Sequence, residues 1–173
     1  MLDNEILSDF VLESKQIVDE ILEILEEAEG DFSKVSTLEQ YGQKVDRIMG
    51  AAKSVAMMAP EDHPIHWVAD YAAVCKSVGY KTSQIKDNKD FYDICVGLLL
   101  DATENLAELM DHLDQTVQDL RARVPEAFLT RLKWVAEKFS ADFRMSVDAG
   151  PKAAGDGKMG QDQIDELMKK LGL

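Results

Sequence analysis

Positive charge is scarce in this chain. Its 19 Lys and Arg residues are outnumbered by 33 Asp and Glu, which gives a formal net charge of −14. Such an excess of acid argues against nucleic acid or an anionic membrane as the main binding partner. No apolar run approaches the roughly 18 residues of a membrane-spanning helix, and the acidic residues 2–5 do not match the basic start of a signal peptide. We therefore expect a cytoplasmic protein.

Cysteine is equally scarce, and motifs for metal or phosphate binding are lacking. Cys75 and Cys95 lie in apolar helical patterns, which predicts reduced, buried thiols. No Gly-rich phosphate loop, nucleophile elbow or zinc-type cysteine spacing occurs. His63 and His66 lie near acids, but in a Pro-flanked loop and at a helix start, where capping and loop hydrogen bonds are expected. We therefore expect no metal or cofactor of the protein's own.

Apolar residues recur at helical spacing, and no segment alternates convincingly as a strand does. Ser36 and Glu39 have the spacing of a capping box. Met57, Met58 and Ile94 are expected in the core. The pattern predicts an all-α antiparallel helical bundle over residues 1–145. Its helices are predicted at 8–29, 36–59, 64–78, 88–121 and from Pro125 onward.

The C-terminal segment differs from the bundle in composition. Residues 146–160 are rich in Gly and Ala without apolar periodicity, which predicts a flexible linker. Residues 161–173 then form an amphipathic pattern with one narrow apolar stripe. A helix of about three turns is marginal alone in water, so we expect the stripe to bind the surface of another protein. Docking on the chain's own bundle is the alternative. The stripe consists of Ile164, Leu167, Met168 and Leu171.

This C-terminal segment resembles the end of the CheZ phosphatases of bacterial chemotaxis. The likeness is carried by residues 161–167 and by the closing Leu171-Gly-Leu173. In that family the last helix recruits the response regulator CheY, and a flagellar switch protein that also binds CheY has a related peptide. The resemblance implies a CheY-like partner. The partner-binding residues that it implies are Gln161, Asp162, Ile164, Asp165, Leu167, Met168 and Leu171.

The second predicted helix has an unusual outward face. With the apolar positions turned inward, Glu39, Gln43 and Gly50 fall together on the opposite side, with Asp46 and Arg47 beside them. Gly42 and Gly50 interrupt the helix at a cost of about 1 kcal/mol each relative to Ala. Close helix packing or close approach by a partner must offset that cost.

Residues 39–49 also resemble the catalytic segment of the CheZ family. The resemblance implies that Gln43 orients the water that attacks the aspartyl phosphate of the regulator, and that Glu39 pairs with the regulator's active-site lysine. The regulator would supply Mg²⁺. The chain therefore resembles a protein aspartyl-phosphate phosphatase that ends the chemotaxis signal. It has Glu where the familiar enterobacterial type has Asp, and the likeness covers about 25 of 173 residues.

Other assignments remain open. Asp111/Gln115 and Asp114/Gln118 repeat the acid–amide spacing, and Glu39 with Gln43 could be an ordinary solvated face. The bundle also resembles a histidine phosphotransfer domain, with Asp46 in place of the phosphoacceptor histidine. A bundle of that kind could hydrolyse the phosphoryl group of a receiver domain or bind the receiver as a non-catalytic adaptor, and the motif at Glu39 and Gln43 favours hydrolysis.

The oligomeric state is a further open point. CheZ-like proteins tend to dimerise through long helices, so a homodimer would use the helix predicted over residues 88–121.

Overall fold

The structure, a computed structural model, describes residues 3–142 and 161–172. These residues form seven α-helices packed against each other and one 3₁₀ helix, with no strand among them, which confirms the predicted all-α bundle. The predicted linker 146–160 lies outside the described residues. The elements are α1 (Asn4–Ala28), the 3₁₀ helix (Phe32–Thr37), α2 (Leu38–Ala56), α3 (Ile65–Thr82), α4 (Lys89–Asp111), α5 (Val117–Arg123), α6 (Glu126–Asp142) and α7 (Gln161–Leu171).

Helix α3 lies at the centre of the bundle. Its residues from Tyr71 to Gly79 are all buried, on every side of the helix. A helix that is buried all round must be covered by neighbours on each face, and α2, α4 and α7 each pack against it. The Tyr71 hydroxyl donates a hydrogen bond to the carbonyl of Ala102 in α4 (3.1 Å). α3 is therefore the central helix against which α2, α4 and α7 pack.

Helices α2 and α3 approach closely because a glycine on each receives an aromatic ring from the other. A Cβ atom on Gly79 would lie 2.2 Å from Cδ1 of Tyr41, and one on Gly42 would lie 2.9 Å from the ring of Tyr80. Close packing therefore offsets the helix-propensity cost of Gly42. At Gly50 a Cβ would meet nothing within 4 Å.

The start of α2 differs from the prediction. The side chain of Asp31 accepts a hydrogen bond from the Ser33 amide (3.0 Å) and begins the 3₁₀ helix. Ser36 consequently lies inside this turn, and the expected capping box with Glu39 does not form. The prediction was wrong because the chain is already helical where the cap was expected. α2 also ends at Ala56, somewhat before the predicted end.

The predicted long helix over 88–121 is broken. α4 ends at Asp111, and a new helix, α5, begins after Thr116. The hydroxyl of Thr116 accepts a hydrogen bond from the Asp119 amide (3.2 Å), and the Asp119 carboxylate accepts one from the Thr116 amide (3.4 Å). This capping box starts a helix where the apolar periodicity alone suggested continuity. A dimer surface on this segment stays a prediction.

One further helix boundary and the burial of three side chains were predicted wrongly. α3 continues to Thr82, because Gly79 receives the ring of Tyr41 and does not end the helix. Met57 and Met58 are 88% and 53% exposed, since both follow the end of α2. Ile94 is 42% exposed, although its neighbours in α4 are buried.

The buried thiols and the histidine hydrogen bonds that the sequence predicted are present. Cys75 and Cys95 are free and buried, and burial raises the pKa of each thiol to about 12. His63 Nδ1 accepts a hydrogen bond from the Ile65 amide (3.1 Å), and His66 Nε2 lies 3.0 Å from the Pro60 carbonyl. Both histidines therefore organise the start of α3. Within the described residues, none of the helices combines the length and apolar character needed to cross a membrane.

Candidate functional site

The outward face of α2 is exposed along most of its length. Glu39, Gln43, Arg47 and Gly50 all reach solvent, spaced about one turn apart. The opposite face is buried as the sequence predicted. Its inward residues are Leu38, Tyr41, Val45, Ile48, Ala52 and Val55, each no more than 6% exposed. The acid and the amide predicted to act together therefore lie on one accessible surface.

Ionic contacts fix α2 on both flanks. Lys44 pairs with Glu20 of α1, and the Lys76 ammonium of α3 lies 2.5 Å from the Asp46 carboxylate. Lys76 is only 7% exposed, so its charge is taken up by this contact. The sequence reasoning missed this lysine, since a Lys within an apolar run also suits an exposed position. α2 is thus a firm support for the side chains on its outer face.

Asp46 is the residue that the sequence resemblance aligns with the phosphoacceptor histidine of a phosphotransfer domain. In this chain the carboxylate is engaged with the buried Lys76 and serves the packing of α2 on α3. A carboxylate has no imidazole nitrogen to accept a phosphoryl group. This position therefore contributes to the support of the helix and not to phosphotransfer through a histidine.

Glu39 and Gln43 are both available to a partner molecule. Within the described part of the chain, neither side chain makes a hydrogen bond or an ion pair. The capping role that would have explained Glu39 is absent, since the N-terminus of α2 has no side-chain cap. The carboxamide of Gln43 can donate and accept at once, and the Glu39 carboxylate can only accept when ionised. Together they can hold a water or polar group and a cation.

The charges around this pair are mixed. The hydrogen bond from Lys44 lowers the pKa of the Glu20 carboxyl, and Arg47 adds a weaker effect of the same sign. Glu39, the neutral Gln43 and Arg47 follow one another along the face, and Arg47 lies near enough to the Glu20 carboxylate to act on it. Such an arrangement suits a partner that presents both a cation and an anion.

The alternative acid–amide pairs are arranged differently. Asp111, at the end of α4, pairs with Lys15. The side-chain Oε1 of Gln115 accepts a hydrogen bond from Arg123 Nε (3.0 Å). The chain between Asp111 and Gln115 is a turn. Asp114 likewise lies in this turn, whereas Gln118 belongs to α5. Neither pair shares one face of a continuous helix, and Gln115 is already engaged.

The apolar stripe of the C-terminal helix is buried on the chain's own bundle. α7 packs against α3 and α6, and Ile164 and Met168 form a cluster with Ala136 of α6. Of the other residues implied in partner binding, Asp162 and Asp165 are exposed, and the side chain of Gln161 lies outside the description. The stripe residues Ile164, Leu167, Met168 and Leu171 are 1–8% exposed.

The docked α7 does not cover the outward face of α2. Gln43 and Glu39 stay exposed with α7 in place, so the structure does not bring the two groups of predicted site residues together. No group of three or more potential metal ligands occurs among the residues that the structure describes.

In comparisons with known proteins, no family model, curated protein or solved structure matches this chain.

Proposed function

We propose that this protein hydrolyses the aspartyl phosphate of a CheY-like response regulator. The observation that carries the proposal is the placement of Gln43. Its unpaired carboxamide lies one turn from the unpaired carboxylate of Glu39, on the exposed face of a helix that the bundle holds from both flanks.

The chemistry asks little of the protein. An aspartyl phosphate is a reactive acyl phosphate, and hydrolysis needs a water held in line with the phosphorus atom. A neutral carboxamide can accept a hydrogen bond from that water while donating to a phosphoryl oxygen, as the water-positioning glutamine of GTPases does. The proton released by the water passes to solvent or to the departing carboxylate. The catalytic contribution of Gln43 is therefore orientation of the water.

Rigid support matters for such a role. Misplacement of a positioned group by about 1 Å can lose about a hundredfold in rate. The inward residues of α2 are almost wholly buried, and Lys44 and Asp46 tie its two flanks to α1 and α3. A glutamine on this helix has a far better defined position than one on a loop.

The remaining groups come from the regulator in this proposal. Its active-site lysine would pair with Glu39, and its own Mg²⁺ would neutralise the phosphoryl oxygens. The chain's net charge of −14 also favours a protein partner over nucleic acid. The free, buried thiols of Cys75 and Cys95 fit a reducing compartment such as the cytoplasm, where response regulators act.

The test follows the loss of phosphate from a phosphorylated CheY-type receiver. Wild-type protein should accelerate it well above the spontaneous rate, and Gln43→Ala should return it to that rate while receiver binding persists. Gln40→Ala is the matched control, because Gln40 is also exposed on α2. Equal fast rates for wild type and Gln43→Ala would move the site elsewhere. A wild type that binds the receiver without accelerating hydrolysis would be an adaptor.

A further inference from the structure

The apolar face of α7 is occupied inside the molecule. Leu167 and Leu171 belong to the main hydrophobic core, and Ile164 and Met168 pack with Ala136 of α6. α3, which α7 covers, is the central helix that also packs against α2 and α4. α7 is thus docked on a surface that α3 and α6 of the same chain form.

Polar contacts set the position of α7 at both ends. Near its C-terminus, Arg121 Nη2 donates a hydrogen bond to the Lys170 carbonyl (2.8 Å). The last carbonyls of a helix lack partners within the helix and bear partial negative charge, so a guanidinium there is stabilising. Towards the other end, Asp165 acts electrostatically on Lys81 of α3, whose pKa burial lowers and Asp165 partly restores. The docked helix therefore has a defined register on the bundle.

The same stripe cannot serve two surfaces at once. α7 spans only Gln161–Leu171 and has one narrow apolar face, so a receiver that binds this face must replace the bundle. We propose that docking of α7 on α3 and α6 competes with receiver binding, so that the bundle restrains recruitment of its own partner. This inference rests on the proposed function, because the competing ligand is the CheY-like receiver. It also rests on the receiver binding to the apolar stripe of α7, which is what the resemblance of residues 161–167 to the end of the CheZ family implies.

The competition would act on binding and not on chemistry. Glu39 and Gln43 remain exposed while α7 is docked. When only a fraction of molecules has α7 released, the apparent Kd for the receiver is the intrinsic Kd divided by that fraction. Variants that weaken docking should therefore tighten receiver binding and lower KM without changing kcat.

Three full-length variants test whether docking of α7 competes with receiver binding. Each of them lowers the net charge by one. Ala136→Glu places a carboxylate against Ile164 and Met168, Arg121→Ala removes the hydrogen bond to Lys170, and Lys133→Ala changes an exposed position of α6. Amide hydrogen exchange in α7 without receiver measures docking directly. Titration with the receiver carrying beryllofluoride, a phosphoryl analogue that is not hydrolysed, then gives the Kd of each variant.

We expect α7 exchange to be fastest in Ala136→Glu, intermediate in Arg121→Ala, and slow in both Lys133→Ala and wild type. The Kd for the receiver should be lowest in Ala136→Glu, by about tenfold or more relative to wild type. It should be intermediate in Arg121→Ala and unchanged in Lys133→Ala. Arg121→Ala alters an exposed side chain and keeps the test valid should Ala136→Glu fold poorly.

Faster α7 exchange with an unchanged Kd would overturn the competition while leaving the proposed phosphatase intact. Unchanged exchange in Ala136→Glu and Arg121→Ala would overturn the docking itself. Absence of receiver binding in every variant would overturn both proposals together, because the partner would then be wrong.

Discussion

Helices α2 and α7 are both amphipathic, and both were predicted to meet the same partner, yet they use their faces differently. α2 buries its apolar side and leaves a polar face with Glu39 and Gln43 open to solvent. The face of α7 predicted to bind the partner is its apolar one, and that face is already covered by α3 and α6.

The contrast shows that the exposure of a candidate site depends on whether it lies on the polar or on the apolar face of its helix. A polar face costs no free energy to leave in water. An apolar binding face does, because each large apolar side chain gains about 1.5–3 kcal/mol from burial. The apolar stripe of α7 is therefore buried on the chain's own bundle, whereas the polar face of α2 stays accessible to solvent.

The largest effect should separate the two helices by stability. Leu38→Ala in α2 should lower the free energy of unfolding by about 2–5 kcal/mol, as for other buried leucines. Leu167→Ala should cost less than about 2 kcal/mol, because α7 can detach without unfolding the bundle. Denaturant unfolding measures both, and hydrogen exchange should show that Leu167→Ala acts locally. Equal global losses would mean that α7 is an integral part of the core.

The next effect concerns the open face of α2. Glu39→Ala should reduce kcat/KM for the phosphorylated receiver by about 10- to 100-fold, since a hydrogen bond to a charged group contributes about 1.5–3 kcal/mol. Glu26→Ala on α1 removes the same charge from another exposed position and should leave kcat/KM almost unchanged. Similar losses in both variants would point to a general charge effect instead of a lysine partner.

Glycine substitutions compare a packed position with an open one. Gly79→Ala should destabilise the protein by about 1–3 kcal/mol, because its Cβ would overlap the ring of Tyr41. Gly50→Ala should stabilise by about 1 kcal/mol, since the position is open and Ala is the better helix former. Denaturation midpoints give both signs. A destabilised Gly50→Ala would show that the outward face of α2 needs this glycine for folding.

The smallest effect concerns the start of α3, which supports both α2 and α7. Nδ1 of His63 accepts the hydrogen bond from the Ile65 amide only when the imidazole is neutral, and burial lowers the pKa of His63. Its contribution to stability should be complete above the unfolded pKa of about 6.5 and be lost as the pH falls through the lower folded pKa. His63→Gln should flatten this part of the stability profile, and His112→Gln should retain it. An unchanged profile in His63→Gln would exclude this role.

Local patterns predicted a large part of the fold. The inward residues of α2, the buried thiols and the histidine contacts before α3 all followed from spacing over a few turns. The boundaries failed where two local signals competed. Thr116 and Asp119 have capping-box spacing, but the apolar periodicity ran past them and hid the start of α5. At Ser36 the same type of signal was wrong, because Asp31 had already started a helical turn.

The candidate site was predictable in part for the same reason. Helical geometry alone puts Glu39 and Gln43 on one face, and both are exposed. The contact of Asp46 with Lys76 was not predictable, since it joins residues 30 positions apart. The engagement of Gln115 by Arg123 likewise depends on the turn after α4.

The sequence by itself determined that the chain is helical, which side of α2 faces inward, and that the C-terminal segment contains a helix, Gln161–Leu171, with one apolar stripe. These properties depend on side chains a few residues apart. Only the tertiary structure decided that Gly79 accommodates a ring, that Lys76 holds Asp46, and that α7 covers α3 and α6. An amphipathic pattern states that a face must be buried, but the surface that buries it is chosen by the packing of distant segments.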